Sequence, residues 1–145
     1  AYLLGEHGDS SMIPWSHVTV AGKPIDELLA EKPGLYHMDA KEVILDKVHK
    51  EGYIENTTKG CTEFGVTSAT ELIRAIYHNE HKILPCSVYL DGPYGIKDSF
   101  ASVPVKIGKD GVEDIIELHL TDDEQKELQA SVKVLKEHFA RAIAL

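Results

Sequence analysis

The chain has few of the residues from which most specialised sites are built. It holds only two cysteines, Cys61 and Cys86, with no C-x-x-C pair, and each falls in an apolar or helical context. They read as reduced, mostly buried thiols and not as a disulfide framework or a zinc site. No apolar run approaches the roughly 18 residues of a membrane-spanning helix, and no signal-peptide pattern is present. Positive charge is scarce. Lysine and arginine total 15 against 24 acidic residues, a formal net charge of -9, which argues against nucleic acid or an anionic membrane surface as a partner. The two arginines, Arg74 and Arg141, sit in helix bodies, and neither reads as a clamp for a substrate carboxylate. There is no G-x-G-x-x-G or G-x-x-x-x-G-K-[ST] to cradle phosphate and no G-x-S-x-G nucleophile elbow. The eight histidines show no H-x-x-x-H spacing, and His78 with His81 is weak support for a metal.

What is present fits one folded domain over residues 1–145. That length, with 43% hydrophobic residues, suffices to bury a sizeable core. The chain begins without Met inside a strand-like run, Tyr2-Leu3-Leu4, and so reads as an excised C-terminal domain. A small hairpin is expected at His17–Val20 and Lys23–Ile25, then a short helix over Ile25–Glu31 stopped by Pro33-Gly34. Asp39 with Glu42 has the form of a capping box, with Val43, Ile44 and Val48 following at helical spacing and Gly52 placed to end the helix. Thr62 opens a second helix with an apolar stripe of Val66, Ala69, Ile73 and Ile76. A strand over Ile83–Leu90 and a turn-rich Asp91–Gly95 come next. Val103–Ile107 and Val112–Leu118 then flank Gly108-Lys109-Asp110-Gly111, a hairpin signal. Thr121 with Glu124 starts the last helix, whose inner face is expected to run through Leu128, Val132, Leu135, Phe139 and Ala142. The fold class is α+β, with antiparallel strands and hairpins packed against three main helices.

The segment most able to do chemistry is Gly5-Glu6-His7-Gly8-Asp9-Ser10. Glycines permit backbone conformations that other residues resist, so His7 can stand exposed at a strand end. Carboxylates nearby can fix its tautomer and favour imidazolium. With a reference imidazole pKa of roughly 6.5, such a group both takes and gives a proton near neutrality. The remaining histidines are more simply explained as exposed residues of helices, strands and loops. Thr62 is the second candidate. Its hydroxyl reads either as a helix N-cap or as a substrate contact aided by the positive end of the helix dipole, and the two roles are compatible.

These segments together resemble one family. Gly5–Ser10 followed by Pro14-Trp15-Ser16-His17 resembles the active-site segment of the NAD-dependent L-lactate dehydrogenases. Lys59-Gly60-Cys61-Thr62 is similar to that family's substrate-helix motif. Tyr94-Gly95-Ile96-Lys97-Asp98, Ser102-Val103-Pro104, Gly108–Val112 and Leu120–Glu124 continue the match, in order, across essentially the whole chain. The related malate dehydrogenases share the histidine-glycine-aspartate core and the closing hairpin. Glu6, Trp15-Ser16 and Ile96 lean toward lactate, while the residue that most strongly selects lactate over malate precedes Ala1. One detail departs: Met12-Ile13-Pro14-Trp15 sets proline beside tryptophan, where many members place a residue between them.

The resemblance implies a proton-coupled hydride transfer between pyruvate and L-lactate. His7 would be the catalytic proton donor and acceptor, Thr62 a substrate contact, and Val66 an apolar neighbour of the nicotinamide. NAD would be bound mainly by an N-terminal dinucleotide-binding domain that is absent here, as are the polarising and carboxylate-binding arginines and the aspartate paired with the histidine. No metal is implied. The intact enzyme would be a cytoplasmic homotetramer, and the 145-residue piece alone would be inactive. Two other readings stay open: a dehydrogenase domain for malate or another L-2-hydroxy acid, and a non-catalytic assembly or interaction module.

Overall fold

The structure, a computed structural model, describes residues 1–31, 40–54 and 62–144, with side chains throughout except at 40, 51–54 and 62–64. Its centre is a three-stranded antiparallel sheet ordered β3 (Lys82–Leu90), β4 (Ser99–Gly108), β5 (Gly111–Ile115). The β3–β4 ladder is unbroken from Lys82 opposite Ile107 to Leu90 opposite Ser99. Side chains alternate across it, as period-two geometry requires. On β4, Ala101, Val103, Val105 and Ile107 are buried, and Leu84, Cys86 and Val88 of β3 pack against the same cluster. Burial pushes the Cys86 thiol pKa up, so Cys86 packs as a small apolar group.

Proline is unusual in a central strand because it removes a ladder donor. Pro104 is tolerated because its carbonyl, which accepts from Ile116 N–H at 2.9 Å, faces the β5 side just where that ladder ends at Val105 opposite Ile115. Ser102, two residues earlier, presents its backbone to the same side. There it exchanges two hydrogen bonds with Gly5, at 3.0 and 2.8 Å. The N-terminal segment thus occupies the edge of β4 that β5 leaves open. Leu4 pairs in turn with Met12 through bonds of 2.8 and 3.0 Å, which closes residues 5–11 into a loop.

The described helices are α1 (Ile25–Glu31), α2 (Ala40–Ile54), α3 (Thr62–Tyr77) and α4 (Asp122–Ile143). Of these, α3 and α4 pack against β4, whereas Leu29 of α1 and Leu45 of α2 join a separate apolar cluster with Ile13, Val18 and Ile25. The expected hairpin appears as two-residue strands, β1 (Thr19–Val20) and β2 (Lys23–Pro24). The α+β class with antiparallel strands and helical cover is as the sequence implies. Some details differ. Gly52 does not end α2, which continues to Ile54. Val43, Ile44 and Val48 are exposed. Of the expected α3 stripe, Ile76 packs on the core, beside Leu72 and the buried Ala75, whereas Ala69 is exposed and Val66 and Ile73 are 63% and 65% exposed. Both sets share helical spacing, so periodicity alone cannot choose the face that meets the sheet. The inner face of α4 likewise stops at Leu135. Phe139, 68% exposed, helps line a surface groove of about 390 Å³ with Tyr89 and Phe100, the outward-facing side chains at the end of β3 and the start of β4. Pro33-Gly34 and Asp39 lie outside the described residues.

The capping box at α4 is present, and it does more than end the helix. Glu124 accepts from Thr121 N–H at 2.9 Å, and also from Ser16 N–H at 2.9 Å and Ser16 Oγ–H at 2.6 Å. Its residue is only 7% exposed. Burial pushes the carboxyl pKa up, but the hydrogen bonds from Ser16 and Thr121 outweigh that and hold it below the usual carboxylate value. A depressed folded pKa stabilises the fold above the unfolded value of about 4.3, and that contribution is lost as pH falls through the folded value. Glu124→Gln is therefore expected to cost about 1–3 kcal/mol at pH 7, read by urea unfolding. It is also expected to show a shallower acid limb than the parent between pH 5 and pH 3.

Candidate functional site

The His7 loop is held by three kinds of contact. Its base is the paired backbone at Leu4–Met12 and Gly5–Ser102. Its interior is a turn in which Ser11 N–H donates to Gly8 carbonyl at 3.0 Å. Its underside rests on α4. There Gly5 has φ +90°, and a Cβ on it would lie 2.3 Å from Ser131 Oγ. Neither the conformation nor the space admits a side chain. Glu6 N–H donates to Ser131 Oγ at 2.8 Å. The Glu6 carboxylate accepts from Ser10 Oγ–H, and from Ser10 N–H at 3.3 Å.

His7 itself is exposed. It lines a cleft of about 510 Å³ together with Leu3 and Glu6, Gly65 and Ser68 of α3, and Pro85, Ser87 and Ser102 of the β3–β4 ladder. The cleft therefore forms where the first turns of α3 pass the outward face of the sheet. Ser87 and Ser102 are direct cross-strand partners, and Ser102 Oγ–H donates to Leu3 carbonyl at 3.3 Å.

Of the residues singled out from the sequence, His7 stands in this cleft. Thr62 is the first residue of α3, and its side chain lies outside the described residues, as do Lys59-Gly60-Cys61. Val66 sits one turn along α3 but is turned to the surface, while its neighbours Gly65 and Ser68 line the cleft. One acidic neighbour of His7, Glu6, is placed differently from expectation. Glu6 is directed to Ser10, and its second oxygen lies 3.6 Å from His138 Nδ1 on α4. A carboxylate one residue from a histidine points elsewhere in a turned loop, so sequence adjacency does not pair them. Two serines of the site, Ser68 and Ser87, carried no signal in the sequence, and Ser102 entered only as part of a matching segment, because their meeting depends on strand register and helix placement.

Several of the other described histidines have structural partners. His49 Nε2 lies 3.1 Å from Ser11 Oγ, His17 Nδ1 2.8 Å from Ser16 Oγ, and His81 Nδ1 2.8 Å from Glu113 Oε2. The Glu113 carboxyl is held below its ordinary value, chiefly by the His81 hydrogen bond and with help from Lys106. No group of three or more metal-ligating side chains occurs among the described residues. No described helix is long and apolar enough to cross a membrane. Arg74 pairs with Glu80 at 3.0 Å and not with the cleft.

Comparison with known proteins shows the family to which the chain belongs. The family model for the lactate/malate dehydrogenase alpha/beta C-terminal domain matches residues 1–145. An L-lactate dehydrogenase of Bacillus velezensis is 39% identical over an alignment of 145 residues, which covers 97% of this chain and 45% of that protein. One from Bacillus pumilus is 40% identical, covering 97% and 44% respectively. Among solved structures, the ligand-bound minor L-lactate dehydrogenase of Enterococcus mundtii superposes with TM-score 0.84 at 42% identity, over 94% of this chain and 43% of that one. Cryptosporidium parvum malate dehydrogenase superposes with TM-score 0.88 at 26% identity, over 99% and 46%. The chain belongs to the lactate/malate dehydrogenase family and corresponds to its C-terminal domain. It spans somewhat less than half the length of the relatives it matches.

The loop geometry yields a direct expectation. Gly5→Ala combines a positive φ with a backbone-to-serine collision, and is expected to cost about 2–4 kcal/mol, measured by urea unfolding. Gly22→Ala is the comparison, since Gly22 also has positive φ but meets no atom within 4 Å. It is expected to cost about 1 kcal/mol.

Proposed function

We propose that this chain is the substrate-binding half of an L-lactate dehydrogenase, with His7 as the group that moves the proton. The observation that carries this reading is His7 itself. It is exposed in a cleft at the end of a rigidly held loop, within a chain 38–40% identical to several bacterial L-lactate dehydrogenases. In pyruvate reduction, His7 gives its proton to the carbonyl oxygen as a hydride reaches the carbonyl carbon. In lactate oxidation it takes the hydroxyl proton back. Its imidazolium form also stabilises charge that develops on that oxygen.

The family's nicotinamide cofactor supplies the hydride when bound. The described residues of this chain fit only its reactive end. The cleft lining carries no lysine or arginine and no phosphate-cradling loop, whereas Val66 presents an exposed apolar surface on the helix beside it. The dinucleotide-binding half therefore carries most of the cofactor contacts, and Val66 packs beside the nicotinamide. Thr62 takes the family's substrate-contacting position at the first turn of α3. Residues 1–145 form a single domain in this reading. The complete enzyme is a cytoplasmic homotetramer, and the chain by itself turns nothing over, because cofactor and substrate must be held together with the base.

Malate is the second substrate to test, since the Cryptosporidium malate dehydrogenase superposes over 99% of the chain. A non-catalytic assembly module is a third reading, supported by the exposed apolar faces of α2 and α3. One experiment separates all three. The chain is fused to the dinucleotide-binding half of the Bacillus velezensis relative and assayed for NADH oxidation with pyruvate and with oxaloacetate. Pyruvate is expected to be the better substrate, and His7→Asn is expected to lower turnover about 10²- to 10⁴-fold with the melting temperature unchanged. Preference for oxaloacetate would transfer the assignment to malate. Absence of turnover from a folded fusion would leave the module reading.

A further inference from the structure

We infer that Ser131, in the middle of α4, is a positioning residue for His7, acting through a closed relay of hydrogen bonds around Glu6; its catalytic consequence rests on the function proposed above. Ser131 is 1% exposed and lies more than 120 positions from the loop it holds. Its oxygen accepts from Glu6 N–H at 2.8 Å and lies 3.1 Å from Ser10 Oγ. The donor inventory sets the direction of each bond. A carboxylate only accepts, and a serine hydroxyl has one hydrogen. The Ser10 hydrogen goes to the Glu6 carboxylate, so the Ser131 hydrogen goes to Ser10 Oγ. The circuit runs from Glu6 N–H to Ser131, from Ser131 to Ser10, and from Ser10 back to Glu6.

This circuit joins the residue before His7 to the one three after it. The turn bearing His7 is thereby clasped at both ends by one buried hydroxyl of the C-terminal helix. The second Glu6 oxygen, 3.6 Å from His138 Nδ1, ties the same carboxylate to α4 two turns further on. Nothing else anchors the Glu6 N–H among the described residues. Removing the hydroxyl leaves a part-buried donor unmatched and frees the turn. A displacement of the order of 1 Å at an acid-base group is enough to lower turnover about 100-fold.

The relay is tested first on the 145-residue chain, by amide hydrogen exchange. In Ser131→Ala, the Glu6 amide is expected to exchange about 10- to 100-fold faster, while the amides of Val103 and Val105 in the sheet centre keep their parent rates. Ser10→Ala breaks the same circuit without altering the helix, and serves if Ser131→Ala does not fold. In the fused enzyme, either substitution is expected to lower kcat about 10- to 100-fold with KM for pyruvate within about threefold, and the double substitution is expected to add little to the larger single effect. Unchanged Glu6 protection overturns the relay. So do additive losses in the double variant, or a kcat loss that only tracks the fraction folded. A parent fusion without turnover would refute the proposed function, while the exchange result would still decide the relay.

Discussion

The close approach of Gly5 to Ser131 is the contact on which the site depends. A backbone without a Cβ lies directly on a buried hydroxyl of α4, while its own N–H and C=O close onto Ser102 of β4. Three parts of the chain, widely separated in sequence, are thereby fixed at one point. The loop that leaves this point has one direction available to it, and His7 stands at its outer edge. The remaining support is the same in kind: Leu4 pairs with Met12, Ser11 meets His49 of α2, and Glu124 at the start of α4 secures the turn carrying Ser16. Exposure of the His7 side chain and rigidity of its backbone are compatible because the polar groups beneath it are matched.

The sheet accounts for why the loop can sit there. β4 is paired on one side by β3 from Ser99 to Ile107, but β5 covers the other side only as far as Ile115. The open edge at Ser102 accepts Gly5, and the proline at 104 lies at the boundary, where no ladder donor is lost. The cleft in front of His7 follows from the same register, since Ser87 and Ser102 are opposite one another and α3 crosses them with Gly65 and Ser68. Small and hydroxyl-bearing residues there leave room and polar edges for a small, oxygen-rich ligand.

Much of this architecture is legible in short stretches of the chain. The capping box at Thr121–Glu124, the hairpin at Gly108–Gly111, and the strand over Ile83–Leu90 are local signals, each resting on turn chemistry or residue spacing within a few positions. The expectation that His7 stands out from a glycine-flanked strand end rests on the same kind of reasoning. The departures are equally instructive. Val66, Ile73 and Phe139 sit at helical spacings that suit a core, yet they are exposed. Leu72 and Ala75 join Ile76, the one member of the expected α3 stripe that packs on the core, and Phe139 faces a surface groove instead of the core. Glu6, which adjacency assigns to His7, serves Ser10 and α4.

Local elements, the α+β class and the candidate histidine were determined by the sequence by itself, because caps, turns and alternation act over a few residues. The face each helix buries, the meeting of Gly5 with Ser131, and the serine-lined cleft were decided only by tertiary structure. These depend on which groups lie opposite one another once β4 has been paired and α4 laid across it. Such long-range steric and hydrogen-bond matches leave no periodic mark in the chain.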